Sequence, residues 1–120
     1  MVTVTPLHND FKSKDFKNSF IGKFVEILEK NHIDYKYLEY YNQPEFWDTI
    51  NKSKLFISRC RGTEKDLSLI FSLLPEIERL GVLALPSFKT VYHCGDKLKL
   101  PAFYDANKIN SPKTFLFWEK

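Results

Sequence analysis

Glycine is scarce in this chain, and the four that occur, Gly22, Gly62, Gly81 and Gly95, stand far apart. Isolated glycines build neither a Gly-x-Gly-x-x-Gly fingerprint nor a phosphate loop, which removes two common ways of cradling a nucleotide on backbone amides. Ser58 and Ser87 lack the Gly-x-Ser-x-Gly elbow of the α/β-hydrolases. Cysteine is scarcer still: Cys60 and Cys94 are the only two, and neither has metal-ligand spacing around it. That usage fits a reducing compartment, with a single disulfide as the minor alternative. His8, His32 and His93 are scattered without zinc spacing. His93 and Cys94 are adjacent, so their side chains point apart, and no orienting acid stands by to make a nucleophilic pair.

Charge of one sign is also lacking. Eighteen Lys and Arg against 15 Asp and Glu leave a net charge of +3, with no clustered basic face to suggest a nucleic acid or membrane surface as partner. No apolar run approaches membrane-spanning length, and Met1 to Pro6 has no basic n-region of a signal peptide. Repeats, linkers and low-complexity tracts are absent. The expectation is one cytoplasmic domain spanning 1–120, long enough to bury a real core.

What the chain does have is aromatic and β-branched residues in short, punctuated runs. Val2 to Thr5 is β-branched throughout and closed by Pro6, which predicts a strand followed by a polar loop at His8-Asn9-Asp10. Phe16, Phe20, Phe24, Ile27 and Leu28 recur at helical spacing, so a helix capped by Ser13 or Asp15 should run to Asn31-His32. Ile33 to Tyr41 favours a second strand; Pro44, Phe46, Trp47 and Ile50 a short helix; Lys54 to Ser58 a third strand buried on both faces. After the loop Arg59 to Gly62, Thr63 and Asp66 can form a capping box for a helix with the stripe Leu67, Ile70, Phe71, Leu74 and Ile77, ending at Leu80-Gly81. Pro75 inside it predicts a kink or two abutting helices. Val82 to Leu85 is the fourth strand, stopped by Pro86, and Ser87 can cap a short helix through Val91 and Tyr92. This order of elements predicts a three-layer α/β domain with a mainly parallel sheet flanked by helices. Ligands of such sheets gather at the C-terminal strand edge, here His8 to Asp10, Arg59 to Gly62 and Pro86 to Phe88.

Two stretches carry chemistry in their spacing. Asp96 can cap a helix beginning at Lys97, placing a lysine at a helix N-terminus that already favours anions. Ser111-Pro112-Lys113-Thr114 is a rigid turn launching Phe115 to Trp118. A capped surface helix with a solvated lysine is the plain alternative. At the sheet edge, Arg59 and Arg61 could fork onto a carboxylate or phosphate of a substrate beside His8 and Asn9, or simply pair with Glu64 or Asp66.

Taken in order, Glu78-Arg79-Leu80-Gly81-Val82, the Pro86-Ser87 turn, Gly95-Asp96-Lys97, Ile109 and Pro112-Lys113-Thr114 resemble the N-terminal, pre-ATP-grasp portion of the ATP-grasp ligases. That superfamily includes the D-alanine–D-alanine ligase and ribosomal-protein glutamate ligase branches. The resemblance covers the second half well and the first half by element order. It implies a Rossmann-like pre-ATP-grasp fold that positions a small-molecule or peptide carboxylate and amine substrate. It also implies ATP and Mg2+ as cofactors of the whole enzyme, and Lys97 as a contact to the ATP phosphates. The second phosphate-binding lysine and the magnesium carboxylates of the family would follow the Pro-x-Thr turn, where this sequence stops at Lys120. The expected partner is therefore the remainder of a longer ligase, the domain being inactive alone; a homodimer is the other arrangement left open. Phe115, Phe117 and Trp118 should then be partly exposed or held in a contact. Pro101 departs from the family and would bend the Lys97 helix.

A different class, a flavodoxin- or response-regulator-like binding domain, shares the element order. A response regulator needs an acidic cluster after its first strand, which Asn9-Asp10 matches in part, and an aspartate ending the third, where Ser58-Arg59 stands instead.

Overall fold

The computed structural model describes residues 1–5, 15–38, 44–59, 64–95, 97 and 99–115. Its strands are β1 (Val2–Thr5), β2 (Tyr35–Tyr37), β3 (Leu55–Ser58) and β4 (Leu83–Leu85). The helices are α1 (Phe20–Lys30), α2 (Phe46–Asn51), α3 (Glu64–Arg79), α4 (Phe88–Cys94) and α5 (Lys99–Ala106), with a 3-10 turn at Phe16–Asn18. The four strands form one sheet in the order β2-β1-β3-β4, and every pairing is parallel. The molecule is thus the three-layer, Rossmann-like α/β fold expected.

Handedness explains the layers. β1 to β2 moves one way along the sheet, while β2 to β3 and β3 to β4 move the other, and parallel crossovers are right-handed. α1 therefore lies on one face and α2 and α3 on the opposite one. The core divides accordingly. Val2, Val4 and Ile57 meet Ile21, Val25 and Leu28 of α1. Across the sheet, Phe56 and Ala84 meet Phe46 and Ile50 of α2 and Ile70, Leu73, Leu74 and Ile77 of α3. Alternation along β1 sends Thr3 to the second face, fully buried. Its hydroxyl bonds that of Ser53, whose own proton goes to the Thr49 carbonyl at 2.7 Å, so Thr3 is the donor and the buried polar chain is satisfied.

Several expected boundaries move. α1 starts at Phe20, not near Phe16, because Ser19 is the N-cap, accepting from the Gly22 amide at 3.0 Å and donating to the Phe16 carbonyl at 2.7 Å. Asp15 precedes only the 3-10 turn and makes no side-chain cap; Ser13 lies outside the described residues. The buried face of α1 is Ile21, Gly22, Val25 and Leu28, while Phe20 and Ile27, expected in the stripe, are exposed. Ile33 is exposed ahead of the shorter β2, and residues 39–41 lie outside the description. α3 is one continuous helix through Pro75, not two abutting ones. The missing amide at Pro75 forfeits one bond, but Leu73, Leu74 and Ile77 on either side are buried, and their packing outweighs it. Thr63 of the expected capping box lies outside the described residues.

α1, α3 and α5 end alike. In each, the residue two past the helix has positive φ: His32 at 53°, Gly81 at 80° and Lys108 at 53°. The next amide reaches back to the third-last helical carbonyl: Ile33 to Leu28 at 2.9 Å, Val82 to Ile77 at 3.3 Å, Ile109 to Tyr104 at 2.9 Å. These are Schellman closures, in which glycine is the unstrained occupant. His32→Gly should therefore raise stability by about 0.5–1 kcal/mol, read as a higher urea midpoint at unchanged slope.

Candidate functional site

The sheet order fixes where a ligand site belongs. α1 leaves β1 toward β2 and α3 leaves β3 toward β4, so chain directions diverge at the C-terminal ends of neighbouring β1 and β3. His8, Asn9 and Arg61 belong to the two segments that follow those strands, but they lie outside the described residues. Arg59 is described. It directly follows β3 at this edge, exposed, with its guanidinium 5.5 Å from the centre of the Phe20 ring. That contact explains why an apolar ring that leaves the α1 stripe is tolerated at the surface.

The second group sits at the far end of the chain. Lys97 is exposed in a turn between α4 and α5, two residues ahead of α5, so the helix does not begin at it. Asp96, its expected cap, lies outside the described residues. Pro101 accounts for the shift. A helix starting at Lys97 would need an amide at Pro101 to reach the Lys97 carbonyl; starting at Lys99 makes Pro101 the third residue, where no intrahelical donor is required. Proline here sets the helix start rather than bending its middle.

α5 has no buried residue and is held through its rim. Lys99 Nζ lies 3.9 Å from the Tyr92 ring centre and 5.6 Å from that of Phe71, and Phe103 stacks on His93 at 4.6 Å. Its Schellman closure turns the chain back, so that Ser111 to Thr114 meets Pro101 and Asp105 around a hollow of about 300 Å3. Thr114 donates to the Pro112 carbonyl at 2.9 Å, which rigidifies the turn. Lys113 Nζ stands 5.3 Å from the ring centre of Phe115, and that ring is 65% exposed as expected. Phe117 and Trp118 lie outside the described residues. The hollow thus gathers a hydroxyl pair, an ammonium and a carboxylate from two stretches that the sequence separates.

A third feature went unread in the sequence. The outer side of α1 and edge strand β2 enclose a groove of about 640 Å3. Tyr35 and Tyr37, two apart on a strand, share the α1 face and meet edge-to-face at 5.5 Å, and Phe16 continues the wall at 5.8 Å from Tyr37. The period-2 spacing of the tyrosines was the available signal; it puts both rings on one face of β2, and the pairing of β2 with β1 makes that the α1 face. Tyr35 donates to Glu29 at 2.6 Å, and this bond raises its pKa above the ordinary tyrosine value. Burial, with smaller help from Tyr35 and Glu29, pushes Tyr37 up to about 12. Since the folded value exceeds the unfolded one, stability is unaffected by these groups below pH 10.0 and falls between 10.0 and about 12 as the unfolded chain ionises first. Tyr37→Phe should flatten that alkaline decline in urea melts.

Among the described residues no group of His, Cys, Asp and Glu could hold a metal ion, Cys94 is an exposed free thiol, and no helix is long and apolar enough to cross a membrane. No protein-family model and no curated protein sequence matches the chain. The fold and the residues are what define it: an all-parallel, Rossmann-like α/β protein.

Proposed function

We propose that the chain is the N-terminal, substrate-positioning domain of an ATP-grasp ligase, which joins a carboxylate to an amine. One observation carries the reading. The Pro-Lys-Thr turn, one of the two motifs on which the resemblance rests, folds back on α5, the helix that follows the other motif's Lys97, around one polar hollow lined by Pro101, Asp105 and Ser111 to Thr114. Lys113 and Thr114 at the hollow offer ammonium and hydroxyl donors of the kind phosphate oxygens take, and Lys97 is exposed two residues ahead of α5, outside the lining. ATP would supply the phosphoryl group that activates the carboxylate. Lys97 would neutralise phosphate charge as it forms, and Arg59, directly after β3, would orient the acceptor substrate, with Arg61, His8 and Asn9 as the further candidates that the sequence offers outside the described residues.

The described residues fit a phosphate but not magnesium: Asp105 is the single carboxylate at the hollow. The Mg2+ ligands would come from the remainder of the ligase. A surface suits that partner. On β4, at the edge of the sheet, Leu83 is 62% and Leu85 47% exposed on the face opposite α2 and α3, and Phe115 is exposed as well. A flavodoxin- or response-regulator-like domain would use the same strand order, but buried Ser58 occupies the strand end where a receiver requires aspartate.

Calorimetry with ATP and Mg2+ on these 120 residues tests the placement. No saturable heat below about 1 mM is expected, because most of the nucleotide site is supplied elsewhere. Tight, magnesium-dependent binding would overturn it.

A further inference from the structure

We propose that the leucine face of β4 beside α1 is the seat of an amphipathic helix with acidic ends, carried by the polypeptide that completes the ligase; the source of that helix rests on the function proposed above, and the seat does not. Ile21, Val25 and Leu28 of α1 rest on the sheet, while Gly22, Glu26 and Glu29 line the groove beside β2. At about 100° per residue, Phe20, Phe24 and Ile27 therefore lie on the other flank, toward β3 and β4. Arg59 marks that side, since it directly follows β3 and its guanidinium stands over the Phe20 ring. The floor beside this flank is apolar too. Leu83 pairs in register with Leu55, which packs with the α1 cluster, and Leu85 with Ile57, so both β4 leucines share the α1 face. Phe20, Ile27, Leu83 and Leu85 are all exposed. Wall and floor make one apolar angle, and such a patch marks a partner surface.

Two observations choose a helix as the occupant. Ala84, between the leucines, is 1% exposed, so the sheet edge offers no backbone to an added strand and the partner must lie on the face. Among the described residues, the opposite face of the sheet carries both α2 and α3, whereas this one carries α1 alone. A second helix beside α1, about 8–10 Å from its axis, completes that layer. Charge then selects among helices, because the wall has a base at each end. Arg59 stands at Phe20, and Lys30, one turn beyond Ile27, is exposed with no ion-pair partner among the described residues. The carboxylates of α1 are on the far flank, Glu26 bonded to Lys23 and Glu29 to the Tyr35 hydroxyl. A helix with carboxylates at both ends of its apolar stripe meets these bases, and one with lysines there is repelled.

Two synthetic helical peptides of about 18 residues with the same leucine stripe are the probes, one with glutamate and the other with lysine at both ends of the stripe. Each is titrated into the 15N-labelled 120-residue chain and followed by NMR. Saturable shifts centred on Phe20, Phe24, Ile27, Leu83 and Leu85 are expected, with the glutamate peptide binding at least about tenfold more tightly. Lys30→Glu, at an exposed side chain, should narrow that preference at least about threefold. Leu83→Ser, exposed as well, should leave the fold intact and weaken both peptides at least about tenfold. Equal affinity for the two peptides, shifts centred elsewhere, indifference to Leu83→Ser, or no saturation at about 1 mM would each overturn the seat. So would a dimer of the chain that Leu83→Ser dissociates, since a second copy would then own the face. Because the titration needs only this chain, its failure sinks the seat whatever the mass of the native protein. A native mass of these 120 residues alone sinks the source of the helix and not the seat.

Discussion

Phe56→Ala should cost about 3–5 kcal/mol and lower the melting temperature by on the order of 10–20 °C. Phe56 is 0% exposed on β3, which sits inside the sheet between β1 and β4. Its ring points to the face covered by α2 and α3, 6.4 Å from the Phe46 ring in an edge-to-face pair, among Ile70, Leu74 and Ile77. Truncation removes the transfer energy of the ring and leaves a cavity bounded by a sheet and two helices that cannot readily collapse into it. A domain of this size has a total stability of about 5–15 kcal/mol, so the variant should sit near its unfolding threshold at physiological temperature. Urea melts give the loss directly, and a cost below about 1 kcal/mol would mean that the second core is not packed as described.

Gly22→Val should cost about 2–3 kcal/mol, and for a different reason. Gly22 is buried in the first turn of α1 with ordinary helical geometry, so backbone freedom is not the issue; space is. The nearest atoms to a new Cβ would be the Phe16 carbonyl oxygen at 2.0 Å and carbon at 2.9 Å, both backbone. A backbone cannot step aside as a side-chain tip can. The 3-10 turn must move off α1, taking with it the bond from Ser19 to the Phe16 carbonyl and the Phe16–Tyr37 ring contact. The variant should therefore lose stability and also alter the groove between α1 and β2. Gly22→Val with unchanged stability would show that the turn is not seated against the helix.

The sequence told more about the strands than about the ends of helices. β1 and β3 were legible because a strand buried on both faces is apolar or β-branched along its length, and Val2 to Thr5 and Leu55 to Ile57 are. The start of α1 was not. Phe16, Phe20 and Phe24 recur at helical spacing, yet Ser19 is able to bond both the turn before it and the helix after it, and that local chemistry outranks the aromatic stripe. At α5 the stronger signal was also the less conspicuous one. Pro101 admits a helix beginning at Lys99 and penalises one beginning at Lys97, whatever Asp96 offers as a cap. Pro75 taught the reverse, since buried neighbours on both sides of it keep α3 whole.

The candidate sites divide in the same way. The switch-point edge followed from element order alone, because parallel strands with right-handed crossovers leave few arrangements. The hollow at α5 depends on a Schellman closure through Lys108, a residue with no propensity for positive φ that would announce it. The α1–β2 groove depends on which face of β2 the tyrosines take, which periodicity permits but only the pairing of β2 with β1 decides.

In the proposed function this domain would supply one wall of an ATP-grasp site and further polypeptide the other. The intact mass of the protein immunopurified from its source under native conditions tests that most directly. The account predicts a chain substantially heavier than these 120 residues, or a tightly co-purifying second chain, carrying a further lysine and a late Asp/Glu–Asn pair. A species with the mass of these 120 residues alone and no such companion would contradict it.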